Sequence, residues 1–518
     1  MGITAQSVKV LRRLTEISPG HNPRLSELAS VVPCSLAVLR HEINQLNLYL
    51  PPRMQISARA GRIEHAPAYR EFREFLRNLP LGAYTPNLKE RIRLCLVEAV
   101  LGEKLNMTRL YAELGTSEAT KKADARKLRA WASSNGFETR VLPRRGLELN
   151  GEEFKLRMAA TMTLIPLVEL EAGSTLAARR ANTPFDTRIA QPLIGTYEKS
   201  PEFWGLCMDE LLSNYERDLS GMSRKFLLVY LIVSAQRIDR HAIREVPHSP
   251  IKIVDAHVFG NECEDRALNT VMSMLEFVPA LDAPADNQLT TAVRSFLDAI
   301  AGTVQDIDRS VEAEASVYNY VYRQGLRKHW GVSFPDKMIR GTKAQLPELY
   351  KVVAESCGYI EEALGVSFDD EQHTTLALML AMWRNRRQLI GSGTKRVAIA
   401  TNSSQERVGY FIEQLRCEVD VEVIGVFDRS KMRVLTRASP DAVIVFSERM
   451  MGVVAEIGLK PILLNFYLEH GDIDHLLDQG FSSMRKHADA EEIVREVQNL
   501  GASAAAKFLR EHYGGLFV

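Results

Sequence analysis

The sequence predicts a multidomain, mainly α-helical chain that closes in a small α/β unit, and three patterns carry that expectation. Between residues 106 and 151 a short helix, a turn, a longer basic helix and a two-stranded hairpin follow in order. From Ser200 to about Gly391 nearly every segment has helical periodicity. From Lys395 the pattern switches to short, β-branched apolar runs separated by helices, as in an α/β sandwich. The chain has 518 residues, enough for three to five domains at roughly 100–200 residues each.

The stretch 106–151 is the most informative. Leu110, Ala112 and Leu114 give its first helix an inner face, and Gly115 permits the turn. Thr116 or Ser117 caps the next helix by accepting from its unpaired N–H groups. Ala119, Ala125, Leu128 and Trp131 or Ala132 recur at helical spacing and are expected inside, leaving Glu118, Lys121, Lys122, Arg126 and Arg129 nearer the solvent. Gly136 stops the helix, and FETRVLP and GLELN flank Arg144, Arg145 and Gly146 as the strands of a hairpin. This is the order of a winged helix-turn-helix, whose second helix starts in the major groove while the cations of its wing meet phosphate.

Residues 1–66 predict a first module of the same kind. Val8, Leu11, Leu14 and Ile17 form one stripe, Leu25 to Val32 a second helix and Ser35 to Leu48 a third. Leu36, Leu39, Ile43 and Leu46 are expected in its core, with Ser35, Ala37, Arg40 and His41 outward and Arg53, Arg59 and Arg62 in the following wing. The second module spans 67–155, with helices over Ala68–Leu79 and Asn87–Gly102 leading into it. A helix from Phe154 to about Glu171 comes next, then GSTLAARRANTPFD as the clearest linker, together filling 156–195.

The helical region runs through one arrangement twice, over 196–303 and 304–391. Each copy opens with an apolar helix ending in arginine, KFLLVYLIVSAQRIDR at 225–240 and SVYNYVYRQGLRKHWGV at 316–332. Each closes with an acidic turn and a second apolar helix, at 284–297 and 368–383, and one amphipathic helix is expected over 346–366. In the last unit, 394–518, VAIAT, VEVIGVF, DAVIVF and PILLNFY read as buried parallel strands. NSSQERVG after the first strand leads into a helix over Tyr410–Arg416, a place where backbone N–H groups can hold phosphate.

Composition narrows the function classes. Apolar residues make up 46% and charged residues 25% of the chain, a globular profile, and neither a membrane-spanning run nor a secretory leader is expected. The six cysteines are scattered without C-x-x-C pairing, which predicts reduced thiols in the cytoplasm and no metal site. Formal net charge is zero, yet residues 1–150 hold 24 Lys and Arg against 14 Asp and Glu, and the remainder 41 against 51. A basic head on an acidic body favours a polyanion at the head.

Taken in order, these parts resemble bacterial transcription regulators that carry phosphotransferase-system regulation domains (PRDs), in particular the Mga/AtxA-like virulence regulators. The resemblance rests on the tandem helix-turn-helix modules, on RRGLELNGEEFKLR after the second, on YRQGLRKHWGV, LPELY and FDDEQHTTLAL in the second helical copy, and on a tail similar to a phosphotransferase IIB component. It implies PRD-like bundles at 196–303 and 304–391 and a IIB-like domain at 394–518. In active PRDs, histidines of the first and last helices carry phosphate. The matching positions here are Tyr230 and Arg294, then Tyr320 and Leu378, with His329 and His373 close by. At the phosphocysteine position of a IIB domain stands Thr401 or Asn402, and Cys417 lies beyond the following helix. Without a thiolate, phosphoryl transfer through the tail is not expected.

The expected function is therefore that of a DNA-binding regulator, not an enzyme. It needs no cofactor, pairs with a second copy of itself, and is implied by the resemblance to activate transcription. Ser35, Arg40 and His41 of the first module, and Ser117, Thr120 and Lys121 of the second, are expected near base edges or adjacent phosphates; Lys122, Arg126, Arg144 and Arg145 are expected on phosphate. The alternative is a regulator or carrier phosphorylated by phosphotransferase proteins, and RNA polymerase is a further expected partner. An RNA-binding antiterminator fits two helix-turn-helix modules poorly. Ser403 and Ser404 are the residues through which the tail could hold a phosphate or sugar phosphate non-covalently.

Overall fold

The computed structural model describes residues 2–15, 23–32, 34–102, 104–142, 146–171, 175–213, 217–245, 258–304, 307, 310–334, 339–386 and 395–483. The chain is mainly helical, and among the described residues the one sheet of more than two strands lies near the C-terminus.

At the N-terminus, helices Ala5–Leu14, Leu25–Val31 and Leu36–Asn47 precede a hairpin of Ser57–Arg59 and Arg62–His65. Val8, Leu11, Leu14, Leu39, Ile43 and Leu46 are buried together, as their spacing predicts, while Ile17 lies outside the described residues. Leu36 corrects the expectation. It is 39% exposed, because it opens the first turn of its helix, before the stretch that packs on the core. The hairpin turns through Ala60 and Gly61, whose φ values of 50° and 77° give the twist that matches paired strands.

Ile3–Thr4 pairs in parallel with Tyr84–Thr85, tying the first group of helices to the second. There, Tyr69–Asn78 and Leu88–Leu101 lead to Met107–Glu113, a turn at Gly115 (φ 61°), and Glu118–Ser134. Gly136 (φ 75°) ends that helix, and Glu138–Leu142 pairs with Gly146–Asn150 as the expected hairpin. Leu105 and Leu147 exchange backbone hydrogen bonds of 2.9 and 3.0 Å, which fastens the hairpin to the segment before the short helix.

The helix expected from Phe154 to Glu171 is Glu153–Leu164. Pro166 cannot donate to a continuing helix, so the chain passes through a 3-10 turn into the strand Val168–Leu170. That strand pairs with Leu176–Ala178, and Pro184 opens the helix Pro184–Tyr197. The expected linker is thus half of a hairpin and a helix start, with Leu176 and Ala181 buried.

Helices Pro201–Ser213, Gly221–Arg237, Glu262–Ser273 and Asn287–Ala301 follow, then Val311–His329, Ile339–Gln345, Pro347–Ser356, Gly358–Leu364 and Asp370–Arg386. The segment expected as one amphipathic helix over 346–366 is divided at Cys357, just before Gly358. In the C-terminal sheet the strands lie side by side as Pro461–Leu463, Ala442–Val445, Lys395–Ala400 and Val419–Phe427, all parallel, with Ser482–Ser483 antiparallel at the edge. The helix after the first strand is longer than expected, Gln405–Glu418, so Cys417 lies within it.

Side chains alternate across this sheet: Val397, Ile399 and Ile444 face the core shared with Asp370–Arg386, while Ala398, Ala400, Val443 and Val445 pack on Met432, Leu435 and Val454. Two large apolar cores result. One runs from Ile3 to Phe277 and takes in Trp330 and Val332; the other runs from Leu289 to Phe481. Leu326 packs against both, and ion pairs of Glu169 with Arg429 and Asp218 with Lys431 form a charged seam between the first core's elements and the C-terminal unit.

Candidate nucleic-acid interface

The Glu118–Ser134 helix has two unlike faces. Asp124, Leu128 and Ala132 are buried, and Trp131 packs on Phe137 with ring centroids 5.8 Å apart. The opposite side exposes Ala119, Lys122, Ala123, Arg126, Arg129, Ala130 and Ser133. Ala119 was expected inside and is exposed; Ala125 is half-buried. Both depart from the expectation because the inner face runs through Asp124, Leu128 and Ala132, which leaves Ala119 outside it and Ala125 at its edge. In the preceding helix Ala112 is likewise exposed, and Tyr111 holds the inner position beside Leu110.

Asp124 sits 2.6 Å from Arg91 Nε, with a second contact of 3.3 Å from Nη2 to Oδ1, and accepts a 2.8 Å hydrogen bond from the Tyr111 hydroxyl. Burial works against the Arg91 charge, but Asp124 more than restores it, and the guanidinium is held above its ordinary range. Burial also pushes the Tyr111 phenol well up, keeping it protonated as a donor. Breaking a buried pair of this kind costs about 3–5 kcal/mol, since it strands the remaining charge.

Ser117 is the N-cap: its Oγ accepts from the Thr120 N–H at 3.2 Å and lies 2.9 Å from the Thr120 hydroxyl. Lys121, expected toward solvent, instead folds back; Nζ pairs with Glu118 at 2.8 Å and donates to Thr108 at 3.1 Å, leaving 17% of its side chain exposed. Lys122 and Arg126 are exposed as expected, and Arg144 and Arg145 lie outside the described residues. In the first module Ser35 caps its helix by accepting from Val38 N–H at 3.3 Å. Arg40, His41, Arg53, Arg59 and Arg62 are exposed, and so are Val31, Leu36 and Val38 around the helix start.

The Leu88–Leu101 helix connects this surface to the body. Near one end it holds Arg91; near the other, the Val100 carbonyl accepts from Arg237 of Gly221–Arg237. Arg237 also pairs with Glu153 at 2.5 Å, Glu153 with Arg157 at 2.9 Å, and the fully buried Arg157 with Glu264 at 2.5 Å. Arg157 further donates to the His241 carbonyl at 2.9 Å. One chain of ion pairs therefore joins three helices, and the Arg237 hydrogen bond to the Val100 carbonyl ties it to a fourth.

The positions expected to match phosphorylated histidines differ in exposure. Tyr230 and Tyr320 are buried among apolar side chains, and burial raises both phenols; Leu378 is wholly buried. Arg294 is exposed and pairs with Glu314 at 2.8 Å. His329 is exposed against Trp330, and His373 is half-buried, its imidazole pushed down by desolvation. Thr401 is buried and accepts from the Ser403 N–H at 3.1 Å, while Ser404 is the N-cap residue of Gln405–Glu418. The first N–H of that helix, on Gln405, donates 2.6 Å to the buried carboxylate of Glu276.

Asp124, Glu276, Glu264 and Arg157 were not singled out by sequence reasoning. Asp124 had a visible signal: it is the only acid after Glu118 in a helix otherwise rich in Lys and Arg. Glu264 and Glu276 had none, since their partners lie 107 and 129 positions away, and Arg157 had only Glu153 four residues before it.

Set against known protein families and curated proteins, the chain matches none. Among the described residues no His, Cys, Asp or Glu group is arranged to hold a metal ion, and no helix is long and apolar enough to cross a membrane.

Proposed function

We propose that the chain is a sequence-selective regulator of transcription that binds double-stranded DNA, of the PRD/Mga–AtxA-like type, acting in the cytoplasm as a homodimer. Its two winged helix-turn-helix modules read DNA, and the PRD-like bundles and IIB-like unit pair two subunits so that two heads reach one site.

The observation that carries this reading is the outer face of Glu118–Ser134. Lys122, Arg126 and Arg129 stand there between Ala119, Ala123 and Ala130. The cations meet phosphate, and the small alanines let the helix backbone approach a groove closely. Ser117 and Thr120 stand at the helix start, the end that enters the major groove in this class. In the first module, exposed Leu36 and Val38 suit apolar contact with thymine methyl groups, flanked by Arg40 and His41. Burial of Tyr230, Tyr320 and Leu378 supports a regulator that works without phosphoryl transfer at those positions.

The test is fluorescence anisotropy with labelled duplexes over a salt series. Binding should weaken linearly in log–log form as salt rises. Affinity indifferent to salt, or no binding to any duplex, contradicts the proposal.

A further inference from the structure

We infer that the N-terminus of the Gln405–Glu418 helix, together with Arg323 and Arg327, forms a binding site for the phosphate group of a small molecule, and that the Glu276 carboxylate fills that site as an internal substitute. This goes beyond DNA binding and does not depend on it.

Three observations meet at one place. The helix is 14 residues long, and its Gln405 N–H already donates 2.6 Å to a carboxylate, so the positive end holds an anion. Arg323 and Arg327, one turn apart on Val311–His329, are 9% and 6% exposed. Each has a buried donor without a hydrogen-bond partner, Nε of Arg323 and Nη2 of Arg327. Arg323 pairs with Glu406 of the first helical turn, and Arg327 Nε donates 2.8 Å to the Met274 carbonyl. Buried guanidinium donors without acceptors are costly, and native structures supply partners for most of them.

A carboxylate is a poor fit to this donor set. It brings two oxygens and one charge, and Glu276 must lie near Glu406. Burial, and then that neighbour, push its carboxyl up to about 7, whereas Arg323 and Arg327 act in the opposite sense. Burial and the nearby Arg323 hold the Arg327 guanidinium down to about 10, and the carboxylates of Glu276 and Glu406 offset that only in part. A phosphate monoester brings three terminal oxygens and nearly two charges at neutral pH. It would satisfy the orphaned guanidinium donors and the Gln405 N–H together, with Glu406 left on Arg323.

Glu276 belongs to the first apolar core's end of the chain, and Gln405 to the C-terminal unit. A ligand that takes the place of Glu276 therefore removes one contact across the seam, which makes this site a switch between a docked and a released C-terminal unit.

The experiment is calorimetric titration of the full-length protein with inorganic phosphate and, separately, glycerol 3-phosphate, at constant ionic strength. Glu276→Gln keeps the side-chain volume and removes the competing charge; it should bind about tenfold more tightly than wild type, the worth of one charged hydrogen bond. Adding Arg327→Met should abolish binding; if that variant does not fold by circular dichroism, Arg327→Lys replaces it and should weaken binding. Tighter binding of the ester assigns the site to a phosphorylated metabolite, and tighter binding of inorganic phosphate to the free ion. Equal affinity in wild type and Glu276→Gln, affinity unchanged by the Arg327 substitution, or no binding of either anion overturns the inference.

Discussion

Arg91 Nε lies 2.6 Å from Asp124 Oδ2, and this pair ties the Glu118–Ser134 helix to the Leu88–Leu101 helix behind it, beside the buried Leu128 and Ala132. The side chains are 14% and 4% exposed, so the contact is shielded from solvent and salt. Asp124→Ala should lower stability by about 3–5 kcal/mol, because Arg91 is left buried without its anion. Hydrogen exchange of the 118–134 amides should speed up before that of the C-terminal sheet. Unchanged exchange would remove Asp124 from its fixing role.

Lys122→Ala and Arg126→Ala should leave thermal unfolding unchanged, since both side chains are exposed. Each should reduce the slope of log affinity against log salt by about 0.9, the value for one phosphate contact on duplex DNA. Lys121→Ala should behave differently, because its ammonium is held by Glu118 and Thr108; it should alter the slope less than either. Equal slopes for all three variants would contradict the face assignment.

The seam carries its own pH signature. The folded protein holds the Glu276 proton more tightly than the unfolded chain, whose carboxyl titrates near 4.5. Its contribution is therefore fully present below pH 4.5 and is lost as pH rises through about 7. The groups facing it are Glu406, Arg323, Arg327 and the Gln405 N–H. Melting temperature, as wild type minus Glu276→Gln, should fall across that window. A flat difference would show that Glu276 binds its proton no more tightly in the folded protein than in the unfolded chain.

Other charged pairs close the same seam: Arg429 with Glu169 at 2.8 Å, and Lys431 with Asp218 at 2.7 Å. Gly221 also lies so close to Asp428 that an added Cβ would come within 2.7 Å of the Asp428 Cβ. Gly221→Ala should therefore loosen the docking of the C-terminal unit while leaving each core folded. Limited proteolysis should then cut within 278–288 faster than in wild type. An unchanged cleavage pattern would mean that the contact yields without cost.

What the sequence made legible follows from the range of the forces. Periodicity reports which side of a helix is apolar, so Leu39, Ile43, Leu46 and Leu128 were placed inside from spacing alone. The second hairpin was equally readable, because two alternating runs flank Gly146 just after Gly136 ends the helix. The strands of the C-terminal sheet were found from β-branched runs, and their parallel pairing from the helices between them. The partners of buried charges were not legible. Asp124 stands out as the one acid after Glu118 in its helix, but its partner lies 33 positions back in the chain, and Glu276 is bonded 129 positions on, distances at which a pattern of single residues does not name the partner. For the same reason Ala119 was misplaced: alanine is small enough for either face, and Asp124 decided which face turned inward.

The most direct test of the central claim is selection of bound duplexes from a random library by the full-length protein, run beside a Lys122→Glu/Arg126→Glu variant. The account predicts that the wild type enriches one motif, in two half-sites if the dimer places two heads on one site, and that the variant enriches none. A pool that stays random for the wild type, or the same motif enriched by the variant, would contradict it.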